Sequence, residues 1–483
     1  MNEQLPRARR AGLVALLAIA IGLLGQALFF EAPLGLNVPL ATLALLGAGW
    51  ALRPSRRRPT LPDLLLPLAA VIFAIPAALR ADSTLIALDV LASLGFSGAA
   101  LTAFAGTDVL RRPALAIVTL ALRCAGWVAG GAVAVLGTLG PVLRRAASLR
   151  HPAGRAAPVL RGIVIAIPVL LVFVALFAGA DAVFARAVKD LLHFDIELGD
   201  LPARALLAAF IAWPAAGALA FVTRGPQEVT APAAAWRLGS AEAVTVLVLV
   251  DLLFTAFVLL QATYLFGGQD TLAASGLTYS QYARRGFFEL IVVAALAGCG
   301  VLLLESVVAR RSAAYVAATV ALLALIGVVL ASSLLRLRLY QEAYGWTELR
   351  FYAIAGIAWL GLAVIMAIGT VVADRARWLP HALVGAAVVV AIGVNIIGPV
   401  AFITDQNLAR SDAAISVDLA YLGSLQSDAV PSILAALDGL DARDRALADE
   451  LLGWHRDRLV QDGARGWAGW NLSRERARSL LSR

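Results

Sequence analysis

Four carboxyl groups lie within or beside long apolar runs of the sequence, at Asp89, Asp251, Glu289 and Glu305. A charge at the centre of a bilayer costs roughly 2.5–3.5 kcal/mol on insertion scales, so each group needs a partner or a task. Proton or cation relay is the chemistry that such carboxyls support. The structural alternative is a protonated or hydrogen-bonded carboxyl that joins two helices. Asp251, near the middle of its run, is the strongest candidate for function.

Tyrosine, arginine and glutamate are concentrated in residues 335–350. Arg338 and Glu342 are four residues apart, as are Tyr340 and Tyr344, so each pair shares one face of a helix. Planar donors and acceptors at this density are typical of a binding site. They are also typical of an aromatic belt at a membrane surface, where arginine reaches the head groups.

A similar mixture occurs over residues 276–289. We predict that both segments and the C-terminal tail form one site, in which arginines pair with carboxylates such as Glu289, Glu342 and Glu348. Independent interface anchors with a mobile tail are the alternative. The candidate site residues are Asp251, Tyr279, Tyr282, Arg284, Arg285, Glu289, Tyr340, Glu342, Tyr344 and Arg350.

Signatures of enzymes and of cofactor sites are missing from the sequence. The four histidines are far apart, and Cys124 and Cys299 stand alone in apolar segments, so neither a metal site nor a disulfide framework is predicted. There is no nucleophile elbow, P-loop or dinucleotide fingerprint. We therefore predict no cofactor and no catalytic residue, and an enzyme is the least favoured class of function.

The composition requires a membrane. Of the 483 residues, 61% are hydrophobic and 15% are charged, against about 25% charged in soluble domains. The apolar runs are unbroken, which favours helices over the alternating strands of a barrel. The net charge of +8 comes from arginines in short loops, so we predict no nucleic-acid partner. The predicted partners are the lipid bilayer and an unidentified solute or protein.

Runs of membrane-spanning length, about 20 apolar residues, divide the first 402 positions into twelve segments. These are 11–30, 35–52, 61–79, 84–105, 113–140, 162–180, 203–222, 242–265, 286–307, 313–335, 350–373 and 379–402. The predicted fold class is an all-α, polytopic transmembrane bundle.

Arginine-rich loops follow segments 35–52 and 113–140, and both are expected in the cytoplasm. An even number of crossings must then separate them. The glycine-rich segment 113–140 carries Arg123, and we predict that it is re-entrant or interfacial. A full span with close glycine packing is the alternative. This gives about eleven crossings, a cytoplasmic N-terminus and a C-terminal tail outside.

The composition changes after residue 402, and we predict two domains, the transmembrane bundle 1–402 and a soluble helical tail 403–483. Asp428 and Pro431 indicate a helix start, with Asp428 as cap. Asn471 can cap the last helix. Such a short tail has a thin core, so it is expected to pack on the membrane face or on a partner.

Three motifs give the sequence a resemblance to a known family. They are Thr278-Tyr-Ser-Gln-Tyr-Ala-Arg-Arg-Gly-Phe-Phe-Glu-Leu290, Leu339-Tyr-x-x-x-Tyr-Gly-x-Thr-x-x-Arg350 and Asp418-Leu-Ala-Tyr-Leu-Gly-Ser-Leu. The chain resembles, over about residues 160–483, the bacterial membrane-protein family called domain of unknown function 4173, with its relative 4153. The resemblance implies a bacterial inner-membrane protein and brings no established activity.

Two classes of function stay open at this point. A transporter or permease would use Asp251 and the tyrosine-rich segments, and Asn395-Ile-Ile-Gly-Pro399 is a sign of the broken helices that transporters use. A non-catalytic signalling or envelope-assembly protein would instead dock its partners through the tail.

Overall fold

The computed structural model describes residues 7–54, 57–109, 119–130, 200–225, 237–266, 287–375, 378–410, 418–463 and 466–482. Throughout these ranges the regular structure is helical, apart from one isolated bridge between Leu238 and Val308. The predicted helical fold class is therefore confirmed for the part of the chain that the structure describes.

The bundle is built from α1 Arg7–Phe29, α2 Asn37–Ala51, α3 Leu61–Ala74, α4 Pro76–Leu79, α5 Ser83–Phe104, α6 Leu201–Thr223, α7 Ser240–Phe266, α8 Phe287–Val307, α9 Ala313–Tyr344, α10 Glu348–Val372 and α11 Leu379–Ile397. A further stretch, 119–130, is also helical. Within the described ranges nine helical segments are long and apolar enough to cross a membrane, with α3 and α4 forming one of them. Helix α2 is apolar but shorter, at 15 residues.

Two of the predicted segments are interrupted. The run 61–79 is divided between α3 and α4 at Pro76, which has no N–H to donate and whose ring crowds the preceding turn. The run 379–402 ends as a helix at Ile397, because Gly398 takes the left-handed conformation with φ +69°. Segment 162–180 and both ends of 113–140 lie outside the described residues.

The tail folds as short helices: α12 Pro399–Leu408, α13 Leu419–Ser424, α14 Val430–Ala436, α15 Ala442–Gly463 and α16 Leu472–Leu481, with 3-10 turns at Ser427–Ala429, Leu437–Gly439 and Trp467–Gly469. Helix α12 crosses the predicted domain boundary at 402. The Asn471 side chain accepts from the Arg474 N–H and caps α16 as predicted.

The prediction that Asp428 caps a tail helix is wrong. Ala429 directly precedes α14, and one carboxylate oxygen of Asp428 accepts hydrogen bonds from the main-chain N–H groups of Ala81 and Asp82. The carboxylate thus satisfies donors of the loop before α5 instead of those of its own helix. It joins the tail to the bundle.

One end of the bundle, here called the tail face, holds the tail. The Leu36 N–H donates to the Trp470 carbonyl across 2.9 Å, and the Trp346 N–H donates to the Asn407 side chain across 2.7 Å. The loops after α1, α3–α4 and α9 therefore lie at this face. The start of α6 does too, since the Arg204 guanidinium lies 4.1 Å from the Phe30 ring centre.

The opposite face holds the other set of loops. Arg57 donates to the Ala103 carbonyl near the end of α5, and Arg311 forms ion pairs with Glu305 and Asp374. Helix α1 ends at the tail face, so its first residues lie at the opposite face. The first residues of α1 and the tail thus lie at opposite ends of the bundle.

The tail and the bundle share a hydrophobic core. Leu85 of α5, Phe351 of α10 and Ile403 of α12 are buried in the same cluster as Leu422 and Val430 of the tail. Burying one such side chain contributes about 1.5–3 kcal/mol. The described part of the tail is therefore packed on the tail face, and the alternative of a freely tethered tail is wrong for it.

Candidate functional site

The structure brings together part of the predicted site. Tyr279, Tyr282, Arg284 and Arg285 lie outside the described residues. The first turn of α8 carries Glu289, whose side chain is exposed. Of the remaining five, Asp251 lies within α7, away from the others in the chain, and Tyr340, Glu342, Tyr344 and Arg350 lie where α9 ends and α10 begins, at the tail face.

Arg350 closes the end of α9. Its Nη1 donates to the carbonyls of Tyr344 and Gly345, at 3.0 and 2.5 Å, and its Cζ lies 4.2 Å from the Tyr340 ring centre. The last carbonyls of a helix have no partner inside the helix and carry partial negative charge. Gly345 turns the chain there with φ +77°, and the Thr347 side chain caps α10.

The expected pairing of these arginines with carboxylates is not what the described contacts contain. Arg410 of the tail donates to the main-chain carbonyls of Gln341 and Glu342, and the Glu342 side chain itself is exposed. Both arginines instead donate to carbonyls at the end of α9 that have no partner inside the helix. Arg350 and Arg410 therefore terminate the helix, and this part of the predicted site is a structural joint.

The tail meets the loop after α9 through side chains that pair with main-chain groups. Asn407 donates to the Trp346 carbonyl across 2.8 Å and accepts from the Trp346 N–H across 2.7 Å. The Tyr421 hydroxyl accepts from the Glu348 N–H at 2.9 Å. These contacts satisfy the polar groups of the turn, so the tail holds the loop in one conformation.

Beneath these contacts lies a group of polar side chains, here called the acidic cluster: Asp82, Asp89, Glu348, Tyr352 and Asn395. Asp82 and Asp89 are buried, and the other three are half-buried. Asp82 is 1% exposed. It caps α5 by accepting from the Leu85 N–H at 3.0 Å, and it accepts from the Tyr352 hydroxyl at 3.1 Å. Burial raises the pKa of Asp82, and the neighbouring Asp428 raises it further.

Asp89 and Asn395 form the deepest part of the acidic cluster. Asp89 is 2% exposed, and its Oδ1 accepts from the Asn395 Nδ2 at 3.0 Å. The other carboxyl oxygen, Oδ2, and the Asn395 Oδ1 are both buried without a hydrogen-bond partner. Two buried acceptors without a donor are costly. A proton on Asp89 or a bound cation would remove that cost, so this pair can hold either.

Arg80 lies beside the interruption between α11 and α12. Its Nη2 donates to the Asn395 carbonyl at 3.0 Å, and a Cβ placed on Gly398 would lie 2.7 Å from its Nη1. A guanidinium at the carboxyl end of a helix balances the helix dipole. The Arg80 guanidinium thus places a positive charge at the helix break. It binds the main chain of Asn395, whose side-chain amide binds Asp89.

The other intramembrane carboxyls differ in their surroundings. Asp251 lies on the same face of α7 as the buried Leu247 and Phe254, and its Oδ1 is buried without a hydrogen-bond partner. Glu305 pairs with Arg311 and accepts from the Tyr315 hydroxyl, which is the structural alternative for that residue. No group of three or more His, Cys, Asp or Glu side chains that could hold a metal occurs in the described ranges.

Sequence reasoning named Asp89 as an intramembrane carboxyl and Asn395 as part of a broken-helix motif, but it did not join them. They are 306 residues apart in the chain. The signals were an acid inside an apolar run and an amide just before Gly-Pro in another. Only the packing of α5 against the end of α11 shows that the two belong together.

The helices and the buried polar groups define an α-helical, multi-pass integral membrane protein. The chain belongs to the family described as domain of unknown function (DUF4153), whose model matches residues 67–436. This is the relative 4153 of the resemblance noted above, and membership of family 4173 stays a prediction. No curated protein and no solved structure matches the chain.

Proposed function

We propose that this protein is a transporter in which Asp89 takes up a proton or a small cation near the tail face. The observation that carries the proposal is the Asp89–Asn395 pair, in which two buried oxygens have no hydrogen-bond donor among the described residues. Ionisable groups inside a membrane bundle are costly and rare, and they are found in substrate and ion pathways and in proton relays. The pair joins α5 to α11, two helices that are distant in the sequence, so a change in their relative position would open or close the site.

The interruption at Gly398 supports the same proposal. Transporters bind ions where a membrane helix is broken, because the unwound ends expose main-chain groups. Here Asn395 precedes the break at Gly398 by three residues. The Arg80 guanidinium lies against Gly398 and donates to the Asn395 carbonyl. Asp251 stays a second candidate for the pathway, since it is the carboxyl nearest the middle of its helix.

The localisation that we propose is the bacterial inner membrane, with the tail outside. Arginine favours cytoplasmic loops. At the face opposite the tail, the loops carry Arg53, Arg57, Arg58, Arg310, Arg311 and Arg375. A cytoplasmic position for that face places the acidic cluster on the outer side, where a proton would enter.

The crossing number that we propose is eleven, as the sequence predicts, with 113–140 re-entrant. Helix α5 ends at the face opposite the tail and α6 begins at the tail face, so an odd number of crossings is needed between them. The described stretch 119–130 supports this: Leu120 packs with Phe221 near the end of α6. Cysteine labelling at positions 112 and 144 from the same side of the membrane is expected, and labelling from opposite sides would refute the topology.

A pH jump on a solid-supported membrane tests proton uptake without knowledge of the transported solute. Asp89 lies six residues into α5, or about 9 Å along the helix, so a proton that reaches it moves within the membrane and gives a transient current. Asp89→Asn should abolish that current. Asp438→Asn is the matched control, because Asp438 is 97% exposed in the tail.

The outcomes separate the possible ligands. A current after a sodium jump at constant pH, lost in Asp89→Asn, would identify a metal cation instead of a proton. The proposal is wrong if the wild-type protein gives no transient with either jump, or if Asp89→Asn gives the same transient while it elutes and melts like the wild type.

A docking protein of the envelope is the second candidate function. The observation in its favour is that the tail is held rigidly on the bundle by Asp428, Asn407 and Asn471, and so presents a fixed surface. Copurification of one partner in fixed ratio, lost when Asp428 is replaced, would favour docking over transport.

A further inference from the structure

One edge of the tail lies at the level where the first two helices leave the membrane. The Leu36 N–H, in the loop between α1 and α2, donates to the Trp470 carbonyl at 2.9 Å. Arg474 of α16 donates to the Leu34 carbonyl at 2.6 Å, and a Cβ placed on Gly35 would lie only 2.4 Å from the Trp470 carbonyl oxygen. The turn at 467–469 and the start of α16 are therefore fixed beside the membrane surface.

This edge exposes large apolar side chains. Trp467 is 68% exposed, Trp470 42%, Leu472 48% and Leu34 45%. Elsewhere in the tail, Leu419, Leu422, Val430 and Ile433 are buried in the core that it shares with the bundle, whereas Trp454 and Val460 on α15 are exposed. Four such groups exposed beside one another at the end of a membrane helix need an apolar or interfacial environment.

The edge is continuous with the lipid-facing side of α1. Leu16, Ile19 and Leu23 of that helix are 57–66% exposed, which is the pattern of a surface that lipid covers. Tryptophan is enriched where a membrane meets water, because its ring is apolar and its N–H is polar. Arg476, exposed and four residues after Leu472 on the same face of α16, is placed to reach lipid phosphates.

We propose that this edge, Trp467, Trp470, Leu472 and Leu34, inserts into the head-group region of the leaflet at the tail face. The partner is the bilayer itself. The edge anchors the far end of the tail to the lipid surface, while Asp428 and Asn471 anchor it to the bundle. The inference is independent of any transport activity.

Site-directed fluorescence in nanodiscs tests the proposal on the full chain. Cys124 and Cys299 are first replaced by alanine, and the environment-sensitive dye NBD is attached to Trp467→Cys. Trp454→Cys is the matched control: Trp454 is 49% exposed, and its helix α15 packs on the tail helices α13, α14 and α16. The nanodiscs contain phosphatidylcholine with a doxyl group near the head of the acyl chain.

The lipid-borne quencher should reduce emission at position 467 several-fold more strongly than at 454, and iodide in the water should do the reverse. If both positions respond equally, or if iodide quenches 467 the more strongly, the edge faces water and the proposal fails. Leu472→Cys gives the same comparison if Trp467→Cys does not fold.

Discussion

The Asp428 carboxylate is predicted to stabilise the docking of the tail on the bundle by several kcal/mol, about 3 at least. Its Oδ2 accepts from the Ala81 and Asp82 N–H groups at 2.6 and 3.0 Å. A hydrogen bond to a charged group contributes about 1.5–3 kcal/mol, so Asp428→Ala removes about 3–6 kcal/mol in gross terms. Water can reach part of this half-buried site, which favours the lower end. A loss of about 3 kcal/mol raises the population of the undocked tail roughly 100-fold.

Asp428→Asn should be far milder. Both bonds end on one oxygen, and the amide oxygen of asparagine can take its place. The variant loses the charge, which we expect to cost about 1 kcal/mol or roughly fivefold. It also relieves repulsion with the buried Asp82, since Asp428 raises the pKa of that carboxyl.

Hydrogen–deuterium exchange on the full chain in nanodiscs measures the undocking. Peptides from 78–88 in the bundle and from 419–436 in the tail should gain exchange together in Asp428→Ala. Asp438→Ala, at a 97% exposed position, should exchange like the wild type. Unchanged exchange in Asp428→Ala, or equal damage from Asp428→Asn, would refute the reasoning.

Three further predictions concern the same joint. Asn471→Ala removes two hydrogen bonds to the Ala77 and Arg80 carbonyls and the side-chain cap of α16. The substitution should weaken the docking of the tail by about 2–3 kcal/mol. A tail that is as resistant to limited proteolysis as in the wild type would contradict this. Gly398→Ala forces a left-handed conformation on a residue with a Cβ, a cost of about 1–2 kcal/mol. It should lower the melting temperature, whereas Gly393→Ala, in open space in mid-helix, should not. Burial raises the pKa of Asp82 above its ordinary 3.8, so the folded state binds that proton more tightly than the unfolded state. This contribution to stability should therefore be fully present below the ordinary value of 3.8 and be lost as the pH rises from there through the raised pKa. Asp82→Asn should flatten this dependence in exchange measured across the acidic range, and an unaltered slope would count against it.

The helices were predictable because their cause is local. An apolar run of membrane length has one stable form in lipid, and Gly345, Thr347 and Asn471 act on the turns beside them. The interruption before Pro399 was visible for the same reason, since glycine followed by proline disfavours a continuous helix.

The site was less predictable because its contacts are distant. Asp428 has the local pattern of a cap, yet its partners Ala81 and Asp82 lie about 350 positions earlier in the chain, as the separations of 347 and 346 show. Arg350 has the chemistry to bind a carboxylate, but it donates to the Tyr344 and Gly345 carbonyls at the end of α9. The sequence shows how many hydrogen bonds such a group can form, and the tertiary packing determines which partners it meets.

The joint between the tail and the first loops has a consequence for biosynthesis. Arg474 bonds to the Leu34 carbonyl across 440 residues, and Asn471 bonds to the Ala77 carbonyl across 394. Helices α1–α5 are therefore translated long before the tail groups that bond to their loops at the tail face. Contacts of such separation form late, and until then these loops stay open to chaperones and proteases. A chain that has been translated only to residue 465 lacks Asn471 and Arg474, so neither of these bonds can form in it.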